Sequence, residues 1–87
     1  MYIIIVYDVD VERVSKVNKF LKAFLFWRQN SVFEGDVSIS QFERIKSGIL
    51  DIIDKEVDSV LIYKLPTKKN FNLDVLGIEK NPIERIL

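Results

Sequence analysis

A ferredoxin-like α+β domain, with an antiparallel sheet carrying both helices on one face, is the fold this sequence predicts. Three observations carry it. Residues 2–7, Tyr-Ile-Ile-Ile-Val-Tyr, form an unbroken run of β-branched and aromatic residues. Two later segments repeat apolar residues at three- and four-residue spacing, as amphipathic helices do. Strand-like runs lie between and after them, so the elements come in the order β-α-β-β-α-β. With 87 residues there is room for one core, and the domain is taken as residues 1–87.

The first strand is read over Tyr2 to Val9. It lacks polar alternation, so both of its faces need cover, which places it centrally in the sheet. Helices on one face leave the other open, and a second copy of the chain is the simplest cover. A homodimer is therefore expected, in keeping with the small core of a chain this size. The first helix is read over Val11 to Phe26, with Val14, Val17, Leu21, Phe24 and Leu25 inward. Its other face carries Arg13, Lys16, Lys19 and Lys22.

Trp27 to Glu34 reads as the second strand, and Gly35-Asp36 as a tight turn into a short third strand at Val37 to Ile39. Ser40-Gln41-Phe42-Glu43 has the S-x-x-E form of a capping box and opens the second helix. Phe42, Ile45, Ile49, Ile52 and Ile53 form its apolar stripe. Asp58 to Leu65 is the fourth strand, stopped by Pro66. A basic loop at Thr67 to Asn70 leads to an additional C-terminal strand at Asn72 to Ile78. Residues 66–87 are expected to reach the dimer partner, where a strand could pair with an otherwise exposed sheet edge.

Composition narrows the chemistry. There is no cysteine and no histidine, which excludes disulfides, thiolate metal sites and the usual neutral-pH general base. A bound metal would be a hard, oxygen-ligated ion such as Mg²⁺ or Mn²⁺. Thirteen basic and thirteen acidic residues cancel, so nucleic-acid binding would rest on local clusters. Three glycines and no glycine-rich phosphate loop give nucleotide cradling no support. The opening apolar run is too short to span a bilayer and lacks a basic leader, so no membrane contact and a cytoplasmic location are expected.

Asp8 ends the first strand on a charge at the rim of a core, where it needs a partner, a hydrogen bond or a metal. Asp8, or Asp10 after it, caps the following helix, or Asp8 is a metal-binding or catalytic carboxylate. Both readings are open on this stretch alone.

Tyr7-Asp8 after the apolar strand, Gln29-Asn30-Ser31-Val32-Phe33-Glu34-Gly35, and Asp58-Ser59-Val60-Leu61-Ile62-Tyr63 occur together in order. This combination resembles the small CRISPR-associated spacer-acquisition family, Cas2, along nearly the whole chain. The resemblance implies a ferredoxin-like homodimer in which Asp8 of each subunit approaches the two-fold axis. It also implies metal-dependent endonuclease activity on single-stranded RNA or double-stranded DNA, with Asp8 as catalytic and metal-holding residue. A further implied role is structural: the dimer bridges two integrase dimers and holds foreign DNA. Two facing carboxylates suit Mg²⁺, which takes one or two of them and fills its shell with water and phosphate.

Many members carry an arginine two residues before the glutamine; here that position is Trp27 and the arginine is Arg28. A one-residue shift in a strand changes the face, which separates Arg28 from the family role. Gln29 and Ser31 are read on one face with Trp27 and Phe33, as interface hydrogen-bonders, with Tyr7 and Phe33 structural. Arg13, Lys16, Lys19, Arg28, Lys68 and Lys69 are the candidate cations for nucleic-acid backbone contacts. Apart from the resemblance, a ferredoxin-like regulatory or small-ligand binding module is the alternative.

Overall fold

The computed structural model describes residues 1–66 and 72–81. Four strands and two helices run in the order β1 (Tyr2–Asp8), α1 (Val11–Leu21), β2 (Phe26–Gln29), β3 (Val32–Asp36), α2 (Ile39–Ile52) and β4 (Ser59–Leu65). The sheet is antiparallel with strand order β2-β3-β1-β4, so the apolar β1 is central as its composition requires. Alternate residues Ile3, Ile5 and Tyr7 point to the helices and join Val17, Leu21, Phe33, Ile45 and Ile49 in one core. Full burial of an aliphatic or aromatic side chain contributes on the order of 1.5–3 kcal/mol, so this layer dominates folding.

Local chemistry sets the element ends. Asp10 caps α1 and accepts from the Glu12 N–H at 3.3 Å. α1 stops at Leu21, five residues short of the expected Phe26, and turns carry the chain through residues 22–24. Phe24 and Leu25 keep the helical spacing because they too pack on the core, but they do so from a loop. The capping box of α2 is Ser38 with Gln41: Ser38 Oγ accepts from the Gln41 N–H at 3.1 Å, and the Gln41 side chain accepts from the Ser38 N–H at 2.9 Å. Ser40 and Glu43 lie inside the helix and do not form the expected box.

The second half of the β-α-β-β-α-β pattern also differs in placement. The segment expected as one strand is a hairpin, turning at Asn30-Ser31 with Asn30 at φ 42°. Asparagine is among the few residues that tolerate this left-handed region. Gly35-Asp36 is strand, paired with Tyr2 and Ile3, not a turn. Gly35 serves close packing: a Cβ there would lie 3.0 Å from Leu25 Cδ2. The additional strand expected at Asn72 to Ile78 is not formed among the described residues. Residues 72–81 carry no strand; they lie against the sheet's outer face, where a cleft of about 280 Å³ separates Ile4, Val32 and Glu34 from Leu73 and Ile78. A segment placed across a face has no neighbouring edge from which to complete a ladder.

The two helices meet at Gly48, where the Phe20 ring occupies the space a Cβ would need. Phe20 in turn packs on Phe24, ring centroids 5.4 Å apart. Gly48→Ala is expected to cost about 1–3 kcal/mol through overpacking, offset by up to about 1 kcal/mol of helix propensity. A urea melt checks this. Combining it with Phe20→Leu should recover part of the loss, and no recovery would mean the ring is not the obstacle.

Candidate functional site

Asp8 ends β1 on the face away from the helices, as strand alternation from the inward Ile3, Ile5 and Tyr7 requires. It is exposed, pairs in register with Ser59, and its side chain makes no hydrogen bond or ion pair with the described residues. Helix capping falls to Asp10, not Asp8. Beside it on the same face run Ile4, Val6, Leu61 and Tyr63; Leu61 is 52% and Tyr63 55% exposed. A carboxylate with no side-chain bond to the described residues thus sits at the end of an apolar strip along β1 and β4, the part of the outer face where Leu61 and Tyr63 stay half-exposed.

A second carboxylate, Asp58, directly precedes Ser59, the ladder partner of Asp8, and behaves in the opposite way. The Asp58 side chain is fully buried and accepts four hydrogen bonds. The donors are the Asp10 N–H at 2.9 Å, the Asp54 N–H at 2.8 Å, Arg13 Nε at 2.6 Å and Arg13 Nη2 at 3.0 Å. The Arg13 bond, followed by the backbone bonds, outweighs burial and holds the Asp58 carboxyl well below the ordinary range. Asp58 in return pushes the Arg13 guanidinium up. Arg13 Nη1 is taken by Glu12 at 2.7 Å. Arg13 was expected to face nucleic acid; its guanidinium is instead bound to two carboxylates.

Arg28 is likewise placed inward, at 8% exposure. A bulge between Trp27 and Gln29 adds one residue to β2 and breaks the strict alternation of faces. Trp27 packs on the core, with its indole N–H donating to the Asn30 carbonyl at 2.9 Å. Arg28 meets Glu34 at 3.4 Å and Glu79 at 2.5 Å, and donates to the Asn81 carbonyl at 3.2 Å. Glu34 also accepts from the Tyr2 hydroxyl. Gln29 is exposed and pairs with Val32, so it does not share a face with Trp27 and Phe33 as expected.

Of the remaining motif residues, Tyr7 and Phe33 lie in the core and Ser31 in a turn. Phe33 is fully buried, and Tyr7 lies 6.2 Å from it, ring to ring. The Tyr7 hydroxyl donates to Asn18, and burial raises its pKa against an opposing bond to Ser31. Ser31 lies in the hairpin turn. Lys16 and Lys19 are exposed on α1. Lys68 and Lys69 lie outside the described residues.

Residues 1–73 match the family described as CRISPR associated protein Cas2. The chain belongs to that family. A relative from Thermococcus kodakarensis, named CRISPR-associated endoribonuclease Cas2, is 59% identical over 87 residues, all of both chains. One of the same name from Pyrococcus furiosus is 60% identical over the same span. Among solved structures, a Cas2 crystal structure superposes with TM-score 0.87 at 54% identity, covering 100% of this chain and 98% of its own. That of Streptococcus pyogenes Cas2 at pH 6.5 gives 0.78 at 32% identity, covering 88% and 100%. No helix among the described residues is long and apolar enough to cross a membrane.

Within this Cas2 fold, sequence reading singled out Asp8 but gave Asp58 no role. The available signal was a charge directly before the apolar run of β4, the counterpart of the charge that ends β1 at Asp8. Its lowered pKa has a consequence for acid stability. The unfolded chain binds the proton near the ordinary aspartate value of about 3.9, the folded one only at lower pH. Stability from Asp58 is therefore complete above that value and is lost as pH falls below it. Asp58→Asn should flatten the acid limb of a stability–pH curve measured by chemical denaturation. A limb as steep as the wild type's would assign it to other carboxylates.

Proposed function

We propose that this chain acts in CRISPR spacer acquisition as a homodimer that binds nucleic acid and cleaves single-stranded RNA with Mg²⁺ at Asp8. The observation carrying the reading is an exposed carboxylate, unbonded by the described residues, at the end of the apolar β1–β4 strip where Leu61 and Tyr63 stay half-exposed. Relatives of 59% and 60% identity, named endoribonucleases, support it. Pairing two such faces buries Leu61 and Tyr63 and brings each Asp8 toward its two-fold equivalent.

The donor set fits the metal. Among the described residues no group of three or more His, Cys, Asp or Glu could hold an ion. Mg²⁺ needs only one or two protein carboxylates, with water and phosphate completing its shell, and two Asp8 residues supply that number. When bound, the ion supplies Lewis-acid polarisation of a phosphoryl oxygen. The chain's own part is to hold the two carboxylates apart from competing donors. Lys16 and Lys19 provide backbone-directed, salt-sensitive contacts to RNA or DNA. In the same reading the dimer bridges integrase dimers in the cytoplasm and holds incoming DNA.

Light scattering should give twice the chain mass at micromolar concentration, and a monomer would remove the paired site. Cleavage of single-stranded RNA, set beside duplex DNA, should require Mg²⁺ or Mn²⁺ and stop with EDTA. Cleavage unaffected by EDTA would rule out the metal.

A further inference from the structure

Asp58 and Asp8 are neighbours with opposite fates, one saturated and buried, the other free and exposed. An ionised carboxylate has about four lone-pair sites. All four bonds at Asp58 come from within the chain, so nothing remains to ligate a cation. What it joins matters more. Its bonds reach the backbone two residues after Asp8 through the Asp10 N–H, the first turn of α1 through Arg13, and the α2–β4 connection through the Asp54 N–H. The residue after it, Ser59, is the ladder partner of Asp8. The short link from β1 to α1 is thereby fixed from the far side while the ladder fixes Asp8 laterally.

We propose that Asp58 is a positioning residue for Asp8: by clamping Asp10 and Arg13 it sets the direction of the rim carboxylate. The inference rests on the reading of Asp8 as the metal-holding group. Without the clamp, Asp8 stays on the chain but its carboxylate samples several directions, and two copies no longer converge on one ion. Groups that orient a ligand from behind in this way affect metal affinity by about 10- to 100-fold. Asparagine at position 58 turns an NH₂ toward donors and lacks the charge that the Arg13 fork needs. Arg13→Lys keeps the charge and gives up the fork.

The test is Mn²⁺ binding by the full-length protein, followed through water-proton relaxation with no substrate present. Four variants are compared at a temperature where circular dichroism shows each folded. Asp8→Asn should lose the site. Asp58→Asn should weaken Mn²⁺ binding at least about tenfold, with occupancy recovered at higher metal. Arg13→Lys should fall between Asp58→Asn and wild type, and it carries the test if Asp58→Asn does not fold. Val37→Ala, a core truncation beside Met1 at the opposite end of β1 from Asp8, should bind as wild type does. Wild-type affinity in Asp58→Asn and Arg13→Lys, with the site lost in Asp8→Asn, overturns the positioning role and leaves the metal reading standing. Equal weakening by Val37→Ala overturns it as well, since general loosening would then suffice. Wild-type binding in Asp8→Asn removes the metal reading and the positioning role together.

Discussion

Asp8→Asn is expected to reduce metal-dependent RNA cleavage by at least about a hundredfold, the loss typical when one charge-stabilising group leaves a preorganised site. Asparagine keeps the shape and removes the charge, so extra Mg²⁺ should not restore the rate. Fold should survive, because Asp8 is exposed and bonds to none of the described side chains. Surface changes of this kind usually stay within about ±0.5 kcal/mol. Dimer affinity is a second readout: two carboxylates facing across an axis repel, and removing the charge should strengthen association where metal is absent. Unchanged cleavage in carefully purified Asp8→Asn protein would take Asp8 out of the chemistry. The chain has no histidine or cysteine to replace it.

The largest stability effect should come from Arg28→Met. The guanidinium lies between Glu34 and Glu79, and Glu34 is 4% exposed. Methionine of similar length fills the space but, among the described residues, leaves buried Glu34 with the Tyr2 hydroxyl as its side-chain partner. Breaking a buried pair from one side costs about 3–5 kcal/mol, because the remaining charge is uncompensated. Urea denaturation measures the loss. Arg28→Met combined with Glu34→Gln should be milder than Arg28→Met alone, since the orphaned charge goes too. If the double variant is instead the worse one, Glu34 is not the residue that suffers. Because Arg28 also holds Glu79 and the Asn81 carbonyl, amide exchange in residues 79–81 should quicken in the variant.

The layer order and the central place of β1 were legible in the sequence because periodicity reports burial, and burial decides both. The helix and strand ends were not. Gly35-Asp36 has the composition of a turn, yet the glycine is needed where Leu25 packs close, and the turn fell to Asn30. Ser40-x-x-Glu43 and Ser38-x-x-Gln41 are equivalent as local chemistry. Buried Val37, whose N–H bonds to the Met1 carbonyl at 2.8 Å, selects the earlier one, and only tertiary structure contains that information. At the site, the terminal charge on an apolar strand pointed to Asp8. Arg13 and Arg28 each have one partner that local sequence does not reveal: Asp58 and Glu79 are 45 and 51 residues away.

The bulge at Arg28 has a bearing on how far assembly can proceed. It sits on β2, one border of the sheet, which is four residues long and irregular, and such a border templates further strands poorly. The opposite border, β4, runs seven residues without interruption. Among the described residues no strand flanks its outer side. Each molecule therefore has one sticky border and one blunted one. Joining along the sticky borders consumes both at once, so that mode of growth terminates at two molecules. A second regular border would have let the same sheet polymerise.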